Sequence, residues 1–346
     1  MKVYSFQNEE TGKWDAYSYV TTEARQGLQV LDLSELPKKV SLARIDREIS
    51  TSHTAFVSNV DFATGVARPN RTPYLYVEGA DNFFLSKAPE FPRDKDKNGC
   101  GNRACGKKFP GAHCTCGTFC SCMPSPQPNR GFHVYSLSNP RDPEIIGTYN
   151  DTYMHDVYVE TFTGERARQC APGHDPCEIV FGWTGQDFRI IDFTNKKAPK
   201  VLSTLVYENL GFPHSGWISR NKLWLFNFDE FDEVRSGINT RILSIKISDL
   251  RNPQIMARWD GPGTAIEHNG YVVGDKLYIS SYTRGLIIMN AKNPTALKEI
   301  AFFDTYPEDD VPKFAGAWGV YPYLPSGTIL ISDIDRGLFI LKEQEK

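Results

Sequence analysis

The chain has 346 residues, 40% hydrophobic and 12% aromatic, with a formal net charge of −3. That length supports a large buried core, and the near-balanced charge argues against a nucleic-acid or anionic-membrane footprint. No run reaches the roughly 18 apolar residues of a membrane span, and Met1-Lys2-Val3-Tyr4 begins without the apolar core of a signal peptide.

Taken in chain order, one pattern returns. A short apolar strand falls at 27–34, 131–138, 187–194, 241–248, 285–290 and 337–341. A turn signal such as Asn139-Pro140, Asp249-Leu250 or Asn293-Pro294 follows most copies. A second strand follows the turn at 40–45, 144–149, 200–205, 254–259 and 299–303. Between consecutive hairpins His53, His155, His214 and His268 each open a further strand, and Trp318 takes that place last.

The unit is four antiparallel strands in about 45–55 residues, the blade size of a β-propeller. Six copies predict an all-β, six-bladed propeller of four-stranded blades over 1–346, with a Cys-rich insertion at 93–130 inside the second blade. The sixth copy ends without a fourth strand, and residues 3–6 already read as an innermost strand. Either the last blade has three strands or upstream residues precede Met1, and the second, with a removed leader, is the favoured expectation.

The insertion carries Cys100, Cys105, Cys114, Cys116, Cys120 and Cys122 among Gly, Lys and Pro. So few apolar residues cannot order themselves by burial, and a covalent or metallic link is required. Disulfides, a thiolate metal site on the 114–122 cluster beside His113, and a catalytic thiol are the three readings. Cys170 and Cys177 flank a short Pro-Gly loop and form a natural further pair. Asp94, Asp96 and Asn98, followed by Gly99, resemble the opening of a calcium loop, although Cys105 stands where a bidentate Glu belongs. A solvated turn is the alternative.

If each His opens an innermost strand, His53, His155, His214 and His268 ring one end of the central channel. Converging imidazoles can hold a transition metal with open positions. Asp156, Asp229, Glu230 and Glu267 stand near enough in sequence to add ligands or hydrogen bonds. Alternatively each His donates to a backbone carbonyl of the neighbouring blade and fixes blade packing. The acidic run Asp229-Glu230-Phe231-Asp232-Glu233 reads either as a divalent-cation site or as a solvated blade tip.

Three segments carry a family resemblance. They are Phe212-Pro213-His214-Ser215-Gly216-Trp217-Ile218 with the acidic run that follows, Glu267-His268-Asn269, and the stretch from Phe303 through Trp318 to Phe339. In these the chain resembles the LVIVD-repeat proteins, specifically the choice-of-anchor B family. The resemblance implies a propeller exported to the extracellular space, periplasm or cell surface, in a family with no settled biochemical activity. The cysteine insertion departs from the family pattern.

No phosphate loop, nucleophile elbow or His-Glu-x-x-His helix is present, so no nucleotide cofactor is expected. The leading expectation is a non-enzymatic binding module with divalent-cation sites, meeting a protein or small-molecule ligand on its propeller face. The rival is a metal-dependent enzyme or redox protein centred on the His ring.

Overall fold

The structure, a computed structural model, describes residues 1–24, 26–82, 113–116, 120–123 and 131–344, with backbone alone for 81–82, 113–116 and 120–123. The first sheet holds β1 (Lys2–Gln7), β2 (Trp14–Val20), β3 (Leu28–Asp32) and β4 (Ser41–Asp46), and β5 (Ile49–Thr51) follows it. The second joins β6 (Thr54–Val57) and β7 (Tyr74–Glu78) to β11 (Phe132–Ser136) and β12 (Glu144–Tyr149). Between them lie β8 (Asp81–Asn82), paired with β5, and the ribbon of β9 (His113–Cys116) and β10 (Cys120–Met123).

The third sheet is β13 (Asp156–Phe162), β14 (Cys177–Trp183), β15 (Phe188–Asp192) and β16 (Lys200–Leu205). The fourth is β17 (Pro213–Ile218), β18 (Trp224–Asp229), β19 (Arg241–Lys246) and β20 (Gln254–Asp260), with the helical turn α1 (Asp232–Ser236) between its second and third strands. The fifth is β21 (Asn269–Val273), β22 (Lys276–Ser281), β23 (Gly285–Asn290) and β24 (Lys298–Phe303). The sixth is β25 (Ala317–Tyr321), β26 (Thr328–Asp333) and β27 (Gly337–Lys342).

Every sheet is antiparallel, and the innermost strands touch in the order β1, β6, β13, β17, β21, β25. This is the six-bladed β-propeller that the repeats predict. Among the described residues the sixth sheet has three strands, and its edge strand β27 leaves Leu338 and Ile340 exposed.

Local chemistry explains the repetition. The second and third strands of a blade are covered on both faces, so β14 and β23 read as near-continuous apolar runs and are buried almost throughout. The outermost strands β20 and β24 face solvent and carry charges. A register shift recurs between the third and fourth strands of the first five sheets, at Val30/Leu31, Val134/Tyr135, Ile190/Ile191, Ser244/Ile245 and Ile288/Met289. Each such bulge adds twist at the same radius. Gly285 opens its third strand at φ +81°, where a Cβ would stand 2.2 Å from the Phe303 carbonyl oxygen, so only glycine fits.

An aromatic layer crosses the axis. Phe56, Tyr158, Trp217 and Tyr271 each lie three residues beyond the His of their blade. Tyr158 and Tyr271 both place their rings 4.6 Å from Trp217, and Phe56 of the second blade reaches Trp217 of the fourth at 6.0 Å. At about 3.3 Å per residue this layer lies about 10 Å from the histidines. The layer therefore stands to one side of the histidines along the strands.

Candidate metal centre

One backbone device sets the histidines in register. The His53 N–H donates to the Glu78 carbonyl, that of His155 to Trp183 and that of His268 to Ser280, each at or near the end of the blade's second strand. His214 is the second residue of β17. The four rings overlap in an arc, with centroids 3.9 Å apart for His53–His155, 4.4 Å for His155–His214 and 4.3 Å for His214–His268. Trp318 continues the arc 4.7 Å from His268, half exposed at the rim.

The outer ring nitrogens are engaged. Nδ1 of His53 is 2.7 Å from Glu23 Oε1, Nδ1 of His155 is 2.9 Å from the Tyr153 hydroxyl, and Nδ1 of His268 is 2.5 Å from the Trp318 carbonyl oxygen. A proton on Nδ1 that donates to such an acceptor leaves the lone pair on Nε2, the tautomer of a metal-ligating histidine. Nε2 of His155, His214 and His268 is buried and has no hydrogen-bond partner, and neither has Nδ1 of His214. Such orphaned nitrogens cost free energy unless something meets them.

Glu230 reaches into the same space. Its Oε2 lies 3.8 Å from His214 Nε2 and its Oε1 lies 3.4 Å from His268 Nε2. The Tyr282 hydroxyl donates to Oε1 at 2.6 Å. Burial, followed by the neighbouring imidazoles, holds His155 and His214 well below the ordinary histidine range, and burial lowers His268 to about 3. The rings are thus neutral, the form that binds metals. Burial pushes the Glu230 carboxyl up to about 7, against the Tyr282 hydrogen bond.

The donor set fits a transition metal. One ligand atom each from His53, His155 and His214 lie within 4.8 Å of one another, and so do those of His214, Glu230 and His268. Nitrogen ligands about 2.1 Å from a metal stand about 3.0 Å apart in cis and about 4.2 Å in trans. Small side-chain movements close that difference. Nδ1 of His268 bridges to the next blade through the Trp318 carbonyl, whereas Nδ1 of His53 and of His155 meets a side chain, the Glu23 carboxylate and the Tyr153 hydroxyl.

The acidic run divides. Asp229 is not directed at the histidines. Its Oδ1 accepts from the N–H groups of Phe212 and Phe231, and its Oδ2 accepts from Gly211 N–H and the Tyr207 hydroxyl. It holds the loop that enters β17. Asp232 and Glu233 are buried rather than solvated. Asp156 accepts from the Val157 N–H next to it, and Glu267 Oε1 accepts from Asp229 N–H. Glu23, Tyr153 and Tyr282 are absent from the sequence-predicted set. They come from loops outside the repeat, and no spacing signals them.

Cys170 and Cys177 form the expected disulfide. Asp94, Asp96, Asn98, Cys100 and Cys105 lie outside the described residues. The β9–β10 register pairs Cys114 with Cys122 and Cys116 with Cys120, and these four side chains also lie outside the described residues.

No protein-family model matches the chain, and no curated protein does. Solved structures do. A functionally unknown protein from Desulfotomaculum acetoxidans is 10% identical, with TM-score 0.53, over 95% of this chain and 78% of that one. The periplasmic gluconolactonase PpgL of Pseudomonas aeruginosa is 12% identical, with TM-score 0.56, over 95% and 79%. A candidate 6-phosphogluconolactonase from Bacteroides uniformis is 10% identical, with TM-score 0.51, over 99% and 81%. At these identities the likeness is one of fold. No helix among the described residues is long and apolar enough to cross a membrane.

Proposed function

We propose that this protein carries a transition-metal centre at one mouth of its propeller channel and acts there on a small ligand. The single observation that carries the reading is that the unpartnered, buried Nε2 atoms of His214 and His268 stand beside Glu230, with His155 and His53 next in the same arc. His214, His268 and Glu230 would hold the ion, with His155 and His53 next in the arc. Imidazole-rich donor sets suit iron, copper, nickel or zinc, and such an ion supplies Lewis-acid or redox chemistry at its open positions. The protein's own part is to keep the His155, His214 and His268 imidazoles neutral by burial and to orient the rings through Glu23, Tyr153 and the Trp318 carbonyl. The aromatic layer closes the channel behind them.

A setting outside the cytoplasm is part of the proposal. The Cys170–Cys177 disulfide supports it, since such links persist in oxidising compartments. The repeat wording supports membership of the choice-of-anchor B family.

The test is elemental analysis of protein produced in metal-replete medium, alongside a His155→Ala/His214→Ala double variant. The expected result is one Fe, Cu, Mn, Ni or Zn per chain, lost in the variant while the β-sheet spectrum is retained. A folded wild-type protein that neither retains nor takes up any of these ions overturns the reading.

A further inference from the structure

We infer a second, chemically different cation site beside the histidine arc, in which Asp232, Glu233 and Glu267 hold one hard divalent cation of the calcium or magnesium class. Ligand oxygens of these three residues lie within 4.8 Å of one another, and all three residues are buried.

Burial and mutual repulsion raise the Glu233 and Glu267 carboxyls, so without a cation the cluster holds protons in its place. Arg241 is the only cation paired with the cluster among the described residues. Its Nη2 and Nε both address Oδ2 of Asp232, at 2.5 and 2.8 Å. Its remaining N–H groups donate to the carbonyls of Glu208 and Asn209. Fully ionised, the three carboxylates would exceed the one guanidinium by two negative charges in a buried space. A divalent ion cancels that excess.

Independent evidence comes from the orphaned oxygens. Neither Oε1 nor Oε2 of Glu233 has a hydrogen-bond partner, although the residue is 1% exposed. Oε2 of Glu267, which is 0% exposed, is likewise unpartnered. The charged neighbours that act on Glu233 are Glu267 and Asp232, both acidic. Buried carboxylate oxygens facing one another are the donor set of a hard, oxygen-seeking cation. The imidazole-rich donor set of the first centre is of a different class.

The position suggests the role. Glu267 precedes His268, and Asp232 and Glu233 follow Glu230 in the loop that also carries α1. A cation here would tie the loop bearing Glu230 to the strand start bearing His268.

The test uses full-length protein stripped with EDTA and titrated with Ca2+. Calcium at about a hundredfold above its Kd should raise the melting temperature by about 4 °C for a chain of this length, with one ion bound per chain. Glu233→Gln, which keeps shape and removes charge, should abolish both effects, and Glu267→Gln should do the same. The His155→Ala/His214→Ala variant should keep the calcium response, so failure of the transition-metal reading and failure of this one are separable. If Glu233→Gln does not fold, the wild-type titration decides. The proposal is overturned by wild-type protein that shows no calcium-dependent shift and holds no Ca, Mg or Mn, or by a folded Glu233→Gln protein that binds as the wild type does.

Discussion

His214 Nε2 lies 3.8 Å from Glu230 Oε2, and neither ring nitrogen of that buried histidine has a hydrogen-bond partner. A buried imidazole beside a carboxylate is the donor pair on which the proposed metal centre rests. The Tyr282 hydroxyl orients this carboxylate from the other side, at 2.6 Å.

Tyr282→Phe should therefore weaken binding of the proposed transition metal without removing a ligand. Outer partners of this kind are worth roughly 10–100-fold in metal affinity. Competition with a chromophoric chelator measures it. An affinity equal to wild type would show that Glu230 is not a ligand that Tyr282 orients.

Gly216 separates His214 from Trp217 on β17. A Cβ there would stand 2.4 Å from the Phe226 carbonyl oxygen and 2.5 Å from Trp183 Cζ2. The carbonyl belongs to the neighbouring strand and cannot swing aside, so the Gly216→Ala strand must move. The expected cost is about 1–3 kcal/mol in urea unfolding, with reduced metal content because His214 moves with the strand. A variant with wild-type stability and full occupancy would contradict the packing described.

Removing the Cys170–Cys177 link should lower stability by about 2.5 kcal/mol, given the short loop it closes. In a domain of this size that is a fall of about 3 °C in melting temperature. A Cys170→Ser/Cys177→Ser protein compared by calorimetry supplies the measurement. No change would mean that the loop is ordered by its hydrogen bonds alone.

Asp192 is the centre of those hydrogen bonds. It accepts from Ala171 N–H at 2.9 Å, from the Thr194 hydroxyl at 2.7 Å and from His174 Nδ1 at 2.8 Å. Burial pushes its carboxyl up, but these donors outweigh burial and hold it below the ordinary aspartate range. A carboxyl depressed in the folded state contributes stability above its unfolded pKa of about 3.9 and loses it as pH falls through the folded value. Asp192→Asn should cost about 1.5–3 kcal/mol at pH 7. The gap to wild type should narrow below about pH 4. A gap independent of pH between 3 and 7, on a scale set by about 3.9 as the reference pKa, would contradict the assignment.

Much of the molecule was legible in the sequence. The apolar runs, the turn after most of them and the glycine that opens several, as at 285–290, are local signals that recur through the chain, and repetition averages out their individual ambiguity. The histidine register was legible for the same reason. His53, His155, His214 and His268 occupy one place in the repeat, so a ring of blades brings them to one mouth. The Cys170–Cys177 pair was legible because its members stand only seven positions apart.

Tertiary structure alone decided which of the neighbouring acids face the histidines. Asp229 and Glu230 are adjacent in sequence, yet one binds the backbone of the loop before β17 and the other reaches two imidazoles. That division depends on how the loop turns after β18, and the loop is not part of the repeat. Tyr282, Tyr153 and Glu23 enter from three different blades, with no shared spacing to announce them. Burial of Asp232 and Glu233 likewise follows from the packing of α1 against its neighbours. Sequence by itself determined what is periodic, because blade formation is governed by short-range alternation and turns. The chemistry of the mouth was decided by ring closure, which brings non-repeating loop residues from distant parts of the chain within a few ångströms of one another.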